Sequence, residues 1–340
     1  MALTPDLNAL APEHLPFSLD LLPQPAYLVG GAVRDALLGR QVARFDFDIV
    51  VATEAVAAAR AIANRYQAGF VVLDAARQIA RVVFPGGTVD VAQQDGESLE
   101  QDLRRRDFRT NAIAYDLYHQ TLIDPLQGCR DLERRRLQAI DRANLQADPL
   151  RLLRAYRQAA QLDFAIAPKT RAWLRSLAPQ LRTVAGERVQ AELNYLLNAP
   201  KCNPWLQAAW DDGVLSTWLP PLTVQQVHLV EHVDQAAWLL GRIWADLDTR
   251  LQTPVGNKDV TWLTVAKLAA LASSDQPTLA VLNQLKYSRQ EQRLAAQALR
   301  SLPRLLAASE TPLSLSQQYF LFQEMGEVFP VVAVLAVATV

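Results

Sequence analysis

The sequence predicts an α+β protein in which a head of mixed strands and helices is followed by an all-helical neck and body. Short apolar runs with strand periodicity alternate with helical patterns between residues 26 and 144. Beyond Asp148 the apolar residues recur at helical spacing as far as the end of the chain. Half of the 340 residues are apolar, so the chain can bury more than one core.

The patterns divide the chain into four segments: a Pro- and Leu-rich leader (1–25), the head (26–144), a helical neck (145–200) and a helical body (201–340). The strands predicted for the head are 26–29, 45–51, 69–73, 79–84, 88–91 and 112–117. The predicted helices are 33–38, 55–66 and 99–106 in the head and 149–161, 168–177 and 186–197 in the neck.

The most informative segment is the strand predicted for residues 45–51. Its period of two places Asp46 and Asp48 on one face and Phe47 on the other. Two carboxylates held so close repel each other unless a cation lies between them, and a hard divalent cation, usually Mg²⁺, is the ordinary solution. The pair predicts a metal site, but a lone Asp-x-Asp is more often a solvated turn or a cap and needs support from elsewhere.

That support comes from the glycine turn before this strand. Gly30 and Gly31 follow the apolar run 26–29 and precede a helical pattern. Backbone N–H groups at a helix N-terminus bind anions, and Arg34 in the first turn adds a positive charge. The turn does not match the G-x-G-x-x-G dinucleotide pattern, and the chain contains no G-x-x-x-x-G-K-[ST] sequence. The sequence therefore disfavours both a Rossmann fold and a P-loop fold. A phosphate site beside a metal site indicates phosphate chemistry.

The charge distribution predicts a local basic surface on a nearly neutral chain. A formal net charge of −1 argues against a protein that coats nucleic acid indiscriminately, but arginines are concentrated between residues 104 and 157. About half of them have acidic neighbours and are expected to form a solvated helix face. The others are candidates for binding RNA.

Three features favour a cytoplasmic protein with no membrane partner. Cys129 and Cys202 are too few and too isolated for a disulfide framework or a zinc site. The N-terminus lacks the positive start and apolar core of a signal peptide. The longest apolar run, 329–340, is too short to cross a bilayer.

A stripe of charged residues begins at Asp148, which is placed to cap a helix that carries Pro149 in its first turn. Arg151, Arg154 and Arg157 follow at intervals of three and lie along one side of that helix. An Asp acceptor beside an Arg donor matches the amino group and ring nitrogen of cytosine or adenine and rejects guanine and uracil. The stripe therefore either selects C and A without a template or is an ordinary cap with a solvated face.

A series of motifs occurs in order between residues 26 and 200. They are Gly30-Gly31-x-Val33-Arg34-Asp35 with Asp46-x-Asp48, Arg105-Arg106-Asp107 with Asn111-Ala112, Asp124-Pro125 with Gly128, Asp148-Pro149-x-Arg151, and Glu187-Arg188 with Glu192-Leu193. In this combination the chain resembles the class II tRNA nucleotidyltransferases, the CCA-adding family of the polymerase-β-like superfamily. The resemblance implies a polymerase-β-like head and template-independent addition of C and/or A from CTP and ATP to the tRNA 3′ end, with release of pyrophosphate.

The resemblance also implies roles for particular residues. Asp46 and Asp48 hold two catalytic Mg²⁺ ions, and Asp90 is a candidate for a third carboxylate. The implied nucleotide-binding residues are Gly31 and Arg34 at the triphosphate, Arg106 and Asp107 at the ribose, Asn111 near them, Asp148 and Arg151 at the base, and Arg154 and Arg157 at the base edge or the phosphates.

The chain departs from the family pattern at several points. Ala147 stands where glutamate is usual, and Arg109-Thr110 replaces a Thr-Ile or Thr-Val pair. The segment 92–98 is shorter than the flexible loop of relatives that add the terminal A, and it resembles the form found in enzymes that stop after CC. We therefore expect CC addition, with a complementary A-adding enzyme as a partner. The chain also ends in an apolar helical run where relatives continue into a tail.

Three alternatives remain. A bacterial poly(A) polymerase shares the head, but its basic signature after the metal strand is replaced here by residues 49–54, Ile-Val-Val-Ala-Thr-Glu. An inactive RNA-binding relative would not need the intact carboxylates. A zinc protease is suggested by the H-x-x-E-H pattern at residues 228–232, which has no identifiable third ligand.

Overall fold

The structure is a computed structural model that describes residues 7–40, 43–219, 222–272, 275–310 and 313–340. The chain forms two compact units, one of residues 1–147 and 165–170 and the other of residues 148–164 and 171–340. The boundary lies at Ala147 and Asp148, close to the predicted end of the head at residue 144. The division of the second part into a neck and a body at residue 200 stays a prediction.

The first unit is built on a mixed sheet. Its strands are β1 (Ala26–Val29), β2 (Phe45–Val51), β3 (Gly69–Asp74), β4 (Ile79–Phe84), β5 (Gly87–Gln93), β6 (Ala114–Asp116), β7 (Thr121–Ile123), β8 (Arg136–Leu137) and β9 (Ala165–Ile166). Its helices are α1 (Gly31–Leu37), α2 (Ala55–Tyr66), α3 (Leu99–Arg104), α4 (Gly128–Glu133) and α5 (Arg142–Ala147).

Seven strands form one sheet in the order β3-β4-β5-β2-β1-β6-β7, and β8 pairs with β9 in a separate ladder. The β2–β5 pair is parallel, and the other pairs of the large sheet are antiparallel. Helix α2 packs against β4 and β5 through an apolar face that includes Ala55, Ala59 and Ile62. The apolar ends of β1 and β2 are fully buried, so the half-exposed start of β2 is the part that can present side chains to a ligand.

Some element bounds differ from those predicted. Strand β5 continues to Gln93, and the N–H of Gln94 still bonds Val51, so the connection to α3 is only residues 94–98. The predicted strand 112–117 is limited to β6, because a 3-10 turn at Arg109–Asn111 precedes it. The described part of the leader forms three 3-10 turns. Leu10, Phe17 and Leu22 of this segment are buried. Residues 1–6 of the leader lie outside the described residues.

The second unit is mainly helical. Its helices are α6 (Leu150–Leu162), α7 (Pro168–Leu177, which begins in the first unit), α8 (Gly186–Leu197), α9 (Cys202–Asp211), α10 (Val224–Gly241), α11 (Leu247–Leu251), α12 (Trp262–Ala270), α13 (Asp275–Gln284), α14 (Arg289–Glu310), α15 (Leu315–Met325) and α16 (Phe329–Thr339). Helix α6 packs against α8 and α9, and α10, α12, α14 and α16 pack against one another.

The prediction that everything after Asp148 is helical was wrong in detail. Besides β9, a small hairpin of β10 (Pro254–Val255) and β11 (Asn257–Thr261) interrupts the helices. These strands were missed because pieces of two to five residues are too short to show a period of two. Gly256, at the hairpin turn, has a φ of +66°.

One stretch of the described residues, 315–339, is long and apolar enough to span a membrane by length and composition alone. Half of its most apolar window is buried within the protein, as in the core helix of a folded domain. Gly326, with a φ of +50°, separates α15 from α16 within it.

Candidate active site

The two carboxylates of β2 lie on the half-exposed start of the strand. Asp46 is exposed, and its Oδ1 accepts a hydrogen bond of 2.6 Å from the hydroxyl of Thr88 on β5. Asp48 is half-buried and lies opposite Asp90 in the parallel β2–β5 register. The rings of Phe45 and Phe47 stack on each other at 5.3 Å, as expected for side chains that alternate with the carboxylates. The strand thus presents two acidic groups together.

Asp90 is close to this pair but is already engaged. Arg81 on β4 donates from Nε and Nη2 to the two oxygens of Asp90 at 2.7 and 2.8 Å. The bond to Asp90 raises the pKa of the Arg81 guanidinium, and the charges of Asp46 and Asp48 raise it further. Among the described residues no group of three His, Cys, Asp or Glu side chains could hold a metal ion. The structure therefore does not bring Asp90 into a three-carboxylate cluster, because Arg81 occupies both of its oxygens.

The glycine turn lies directly against Asp48. Gly30 has φ +78° and ψ −136°, a conformation that residues with a Cβ rarely adopt. A Cβ at Gly30 would lie 3.0 Å from Oδ2 of Asp48 and 3.5 Å from Nη1 of Arg106. Glycine is therefore required at this position both for the backbone and for the space beside the carboxylate.

We expect Gly30→Ala to reduce both stability and activity. The strained backbone costs about 1–3 kcal/mol of unfolding free energy, and the new methyl group displaces Asp48. Gly326→Ala is a matched control, because Gly326 has φ +50° and ψ −128° but no neighbour within 4 Å of a Cβ. Thermal unfolding should show similar losses for the two variants, whereas nucleotide incorporation should fall at least about tenfold only for Gly30→Ala. Equal nucleotide incorporation by the two variants would contradict the close approach of Gly30 to Asp48.

Arg34 in α1 is linked to the segment after α3 by a chain of hydrogen bonds. Its Nη1 donates to Oδ1 of Asn111 at 2.8 Å, and the amide of Asn111 donates to Oδ1 of Asp107 at 2.9 Å. Its Nε and Nη2 are held by Asp35 at 3.0 and 2.9 Å. Asn111 and Asp107 are both buried. The predicted residues Gly31, Arg34, Asp107 and Asn111 are thus brought together, and α1 begins at Gly31.

Arg106 is half-buried and faces the glycine turn from the end of α3. Its Nη2 donates to Oδ2 of Asp102 at 3.1 Å. Asp102 itself has no exposed side-chain surface. Sequence analysis missed Asp102, because a helical pattern does not show which of several charged side chains faces inward.

The predicted base-recognition residues belong to the second unit. Asp148 accepts hydrogen bonds from Arg188 of α8 at 3.2 and 2.9 Å, and its Oδ1 also accepts the N–H of Leu150 at 3.3 Å. Helix α6 begins at Leu150 with Pro149 at the capping position, one residue later than predicted. Asp148 is therefore a fixed acceptor at the start of α6.

The arginines of α6 follow the predicted stripe. Arg151, Arg154 and Arg157 are all half-buried, between fully buried neighbours. Nη1 of Arg154 donates to Glu192 at 3.3 Å, and Nε of Arg157 lies 2.7 Å from the other oxygen of Glu192. Glu192 and Arg188 both lie on α8. This helix therefore contacts three charged residues of the stripe: Arg188 binds Asp148, and Glu192 pairs with Arg154 and Arg157.

The H-x-x-E-H pattern lies in α10. Nδ1 of His232 lies 3.2 Å from the carbonyl oxygen of Ala338, a contact between two packed helices. Within the described ranges His228, Glu231 and His232 belong to no cluster able to hold a metal. This arrangement gives no support to a zinc protease.

Two family models match the chain. The poly A polymerase head domain matches residues 26–94 and 88–138, and the probable RNA and SrmB-binding site of polymerase A matches residues 163–225.

Several curated proteins are similar to it. The CC-adding tRNA nucleotidyltransferase of Synechocystis is 49% identical over 320 residues, which cover 94% of this chain and 76% of that protein. The CC-adding enzyme of Geobacter sulfurreducens is 44% identical over 183 residues, covering 53% of this chain and 42% of that protein. The A-adding enzyme of Deinococcus radiodurans is 39% identical over 209 residues, covering 59% and 46%. The chain thus spans about three quarters of the first relative and less than half of the other two.

Solved structures share the fold. A CCA-adding enzyme in complex with CTP is 25% identical with a TM-score of 0.71, covering 92% of this chain and 73% of that chain. The Thermotoga maritima CCA-adding enzyme in complex with tRNA is 24% identical with a TM-score of 0.73, covering 92% and 74%. These likenesses confirm the predicted α+β fold with a polymerase head and a helical remainder. Together with the 49% identity to the Synechocystis protein, they show that the chain belongs to the class II tRNA nucleotidyltransferase and poly(A) polymerase family.

Proposed function

We propose that this nucleotidyltransferase adds two C residues from CTP to the 3′ end of tRNA and does not add the terminal A. The observation that carries the proposal is the short connection between β5 and α3, residues 94–98. The similarity to two CC-adding enzymes supports it. In this proposal a separate A-adding enzyme, of the kind known in D. radiodurans, completes the CCA end, and the reaction takes place in the cytoplasm.

In the proposed reaction the tRNA 3′-hydroxyl attacks the α-phosphorus of the bound nucleotide, and pyrophosphate leaves from the opposite side. Arg34 neutralises triphosphate charge from the glycine turn, held in place by Asp35 and Asn111. Arg106 and Asp107 bind the ribose, and Arg106 faces Gly30 from the end of α3. Each of these side chains is already oriented by a neighbour, so little ordering is needed when the nucleotide binds.

Asp46 and Asp48 fit a pair of divalent cations, for which Mg²⁺ is the proposed species. Mg²⁺ is commonly bound through one or two carboxylates together with substrate phosphate oxygens and water, so a third protein carboxylate is not required. This agrees with the bidentate pairing of Asp90 to Arg81. When bound, the ions supply charge stabilisation at the α-phosphate and activation of the attacking hydroxyl.

Asp148 and Arg151 are proposed to select the base. An ionised carboxylate has about four acceptor positions, and at Asp148 the N–H of Leu150 and the two groups of Arg188 occupy three of them. The remaining position can accept the amino group of cytosine, while Arg151 donates to the ring nitrogen. Uracil offers a carbonyl where the amino group would be, so it is rejected.

We expect Arg188→Ala to weaken discrimination between bases, because Asp148 loses the two hydrogen bonds that fix its orientation. The ratio of kcat/KM for CTP to that for UTP should fall about tenfold, the scale of one charge-assisted hydrogen bond. Arg182→Ala, at an exposed arginine of the same unit, is the control and should keep the wild-type ratio. An unchanged ratio in Arg188→Ala would remove Asp148 from base selection.

The decisive experiment is extension of three tRNA transcripts that end at the discriminator base, at C or at CC. Each is incubated with a single nucleoside triphosphate and Mg²⁺, and Asp46→Ala serves as the inactive control. The proposal predicts two C residues on the first transcript, one on the second and none on the third, with no A added. Full CCA would contradict the short-loop argument but not the family. Long A tails would indicate a poly(A) polymerase, and no incorporation would indicate an inactive RNA-binding relative.

A further inference from the structure

A buried carboxylate links the short connection between β5 and α3 to the proposed nucleotide site. Asp102 lies in α3, and its side chain has no exposed surface. Its Oδ1 accepts from Nη2 of Arg105 at 2.6 Å, and its Oδ2 accepts from Nη2 of Arg106 at 3.1 Å. Burial alone raises the pKa of this carboxyl, but the charges of Arg106 and Arg105, with hydrogen bonds from Arg105 and the backbone of Asp95, outweigh burial and hold the pKa below its usual value. Asp102 is thus an ionised anchor inside the first unit.

The same carboxylate holds residues 94–98, which we call the short loop. The backbone N–H of Asp95 donates to Oδ1 of Asp102 at 3.1 Å. The side chain of Asp95 forms an ion pair with Nε of Arg105 at 3.1 Å, so Arg105 bridges the loop and the anchor. Gly96, at φ +86°, makes the turn that allows this return.

A second contact fixes the other half of the short loop. The N–H of Glu97 donates to Oε1 of Gln101 at 2.7 Å, and Ser98 caps α3 by accepting the N–H of Gln101. A Cβ at Gly96 would lie 2.4 Å from that Gln101 oxygen, so the loop lies directly on the first turn of α3. Both halves of the loop are therefore bound to the helix that carries Asp102.

The opposite side of the anchor reaches the glycine turn. Arg106 is held by Oδ2 of Asp102, and its Nη1 lies 3.5 Å from the position of a Cβ on Gly30. One carboxylate therefore fixes the loop with one oxygen and the nucleotide-facing arginine with the other. The two oxygens belong to one planar group, so a loop displacement that rotates this carboxylate also moves the acceptor of Arg106.

We propose that Asp102 is a positioning residue that ties the short loop to Arg106, so that the loop determines where the Arg106 guanidinium stands against the incoming nucleotide. This proposal rests on the proposed function, because its effect is measured as nucleotide addition. Asp102 does not contact the nucleotide. It acts through Arg106 alone, and this distinguishes it from the residues of the site itself.

The test is a double-mutant cycle between Asp102 and Arg106. Asp102→Asn keeps the shape of the side chain but removes its charge, and we expect kcat/KM for CTP to fall about 30-fold, the scale of a lost charge-assisted hydrogen bond. In the Arg106→Ala background the same change should lower kcat/KM less than about twofold, because the residue it positions is already gone. Glu100→Gln is the matched control. It breaks an exposed ion pair with Arg104 in the same helix and should stay within about twofold of wild type.

A purely structural role would give equal losses with and without Arg106, and that result overturns the proposal. Asp95→Asn tests the loop directly. Its side chain is 62% exposed, so folding should be unaffected, and we expect a loss of about threefold to tenfold that also disappears when Arg106 is alanine. This second cycle decides the question if Asp102→Asn does not fold. A wild-type enzyme that adds A instead of C contradicts the proposed function only, and both cycles are then measured with ATP.

Discussion

Asp48→Asn should abolish nucleotide addition while leaving the fold intact. An amide is a poor ligand for a hard divalent cation, so we expect kcat/KM to fall by about three orders of magnitude or more. Asparagine has nearly the volume of aspartate, and the variant relieves repulsion from the neighbouring Asp46. Unfolding free energy should therefore change by no more than about 1 kcal/mol. Single-turnover C addition and thermal unfolding measure the two effects separately.

The control for this variant is Asp74→Asn. Asp74 ends β3 in the same sheet, is half-buried like Asp48, and lies 3.9 Å from its nearest cationic partner, Arg77. Its loss of charge should leave C addition within about twofold of wild type. If Asp48→Asn retained more than about a tenth of the wild-type rate, the carboxylate pair would not be the centre of the reaction.

Asp212→Asn should produce the largest loss of stability. Asp212 follows α9, and its carboxylate has no exposed surface. It accepts from the hydroxyl of Tyr156 at 2.7 Å, from Nε and Nη2 of Arg171 at 2.6 and 3.1 Å, and from Nε of Arg175. Removing the charge leaves the Tyr156 hydroxyl and two guanidiniums without their shared anion. We expect unfolding free energy to fall by about 3 kcal/mol near neutral pH.

The same variant should also change how stability depends on pH. Burial raises the pKa of Asp212, but hydrogen bonds from Arg171, Tyr156 and Arg175 outweigh burial and leave the pKa below its usual value. On unfolding the carboxyl returns to a pKa of about 3.9. The stabilisation is therefore complete above about pH 5 and is lost as pH falls through the lower pKa of the folded state.

Denaturant titrations at several pH values give the free energy of unfolding for both proteins. The difference between wild type and Asp212→Asn should be constant from pH 7 to about pH 5 and should shrink in more acidic solution. Asp211→Asn is the neighbouring control, because Asp211 is exposed and its Oδ1 accepts a hydrogen bond of 2.9 Å from the side-chain amide of Gln207. A difference that grew on acidification would show that the carboxyl is neutral in the folded protein.

Sequence analysis succeeded where the signal was local. The period of two in β2 and the two glycines before α1 need no distant contacts to be interpreted, and the structure places Asp48 and Gly30 side by side. The spacing of three likewise predicted that Arg151, Arg154 and Arg157 lie along one side of α6, where the structure places all three half-buried. These features depend on strand and helix geometry alone.

To identify the cross-strand partner of Asp90 from the sequence, the register of the β4–β5 hairpin is needed. Pro85-Gly86 lies between two apolar runs, a signal for a tight turn, and counting outward from the turn pairs Arg81 with Asp90. The register of this hairpin is therefore encoded in the sequence. With it, Asp90 would have been recognised as a paired residue of the sheet before any assignment to the metal.

Asp102 illustrates a different limit. Four charged residues, Glu100, Asp102, Arg104 and Arg105, alternate closely in and after α3, and the sequence does not show which is buried. Tertiary packing against the short loop decides that Asp102 faces inward and Glu100 outward. Burial of a charge depends on partners that the fold supplies, so it could not be derived from periodicity.

The pairing of β8 with β9 has a consequence for exchanging parts between relatives. Residues 165–170 belong to the first unit, where Ala165 and Ala167 bond Arg135 and Leu137, and the hydroxyl of Thr170 accepts the N–H of Ala139. A chimaera joined at residue 147 would therefore separate β8 from its native partner strand. A chimaera that takes residues 1–147 from one parent should therefore take residues 165–170 from that same parent. Helix α6, which lies between these two segments in the chain, can come from the other parent.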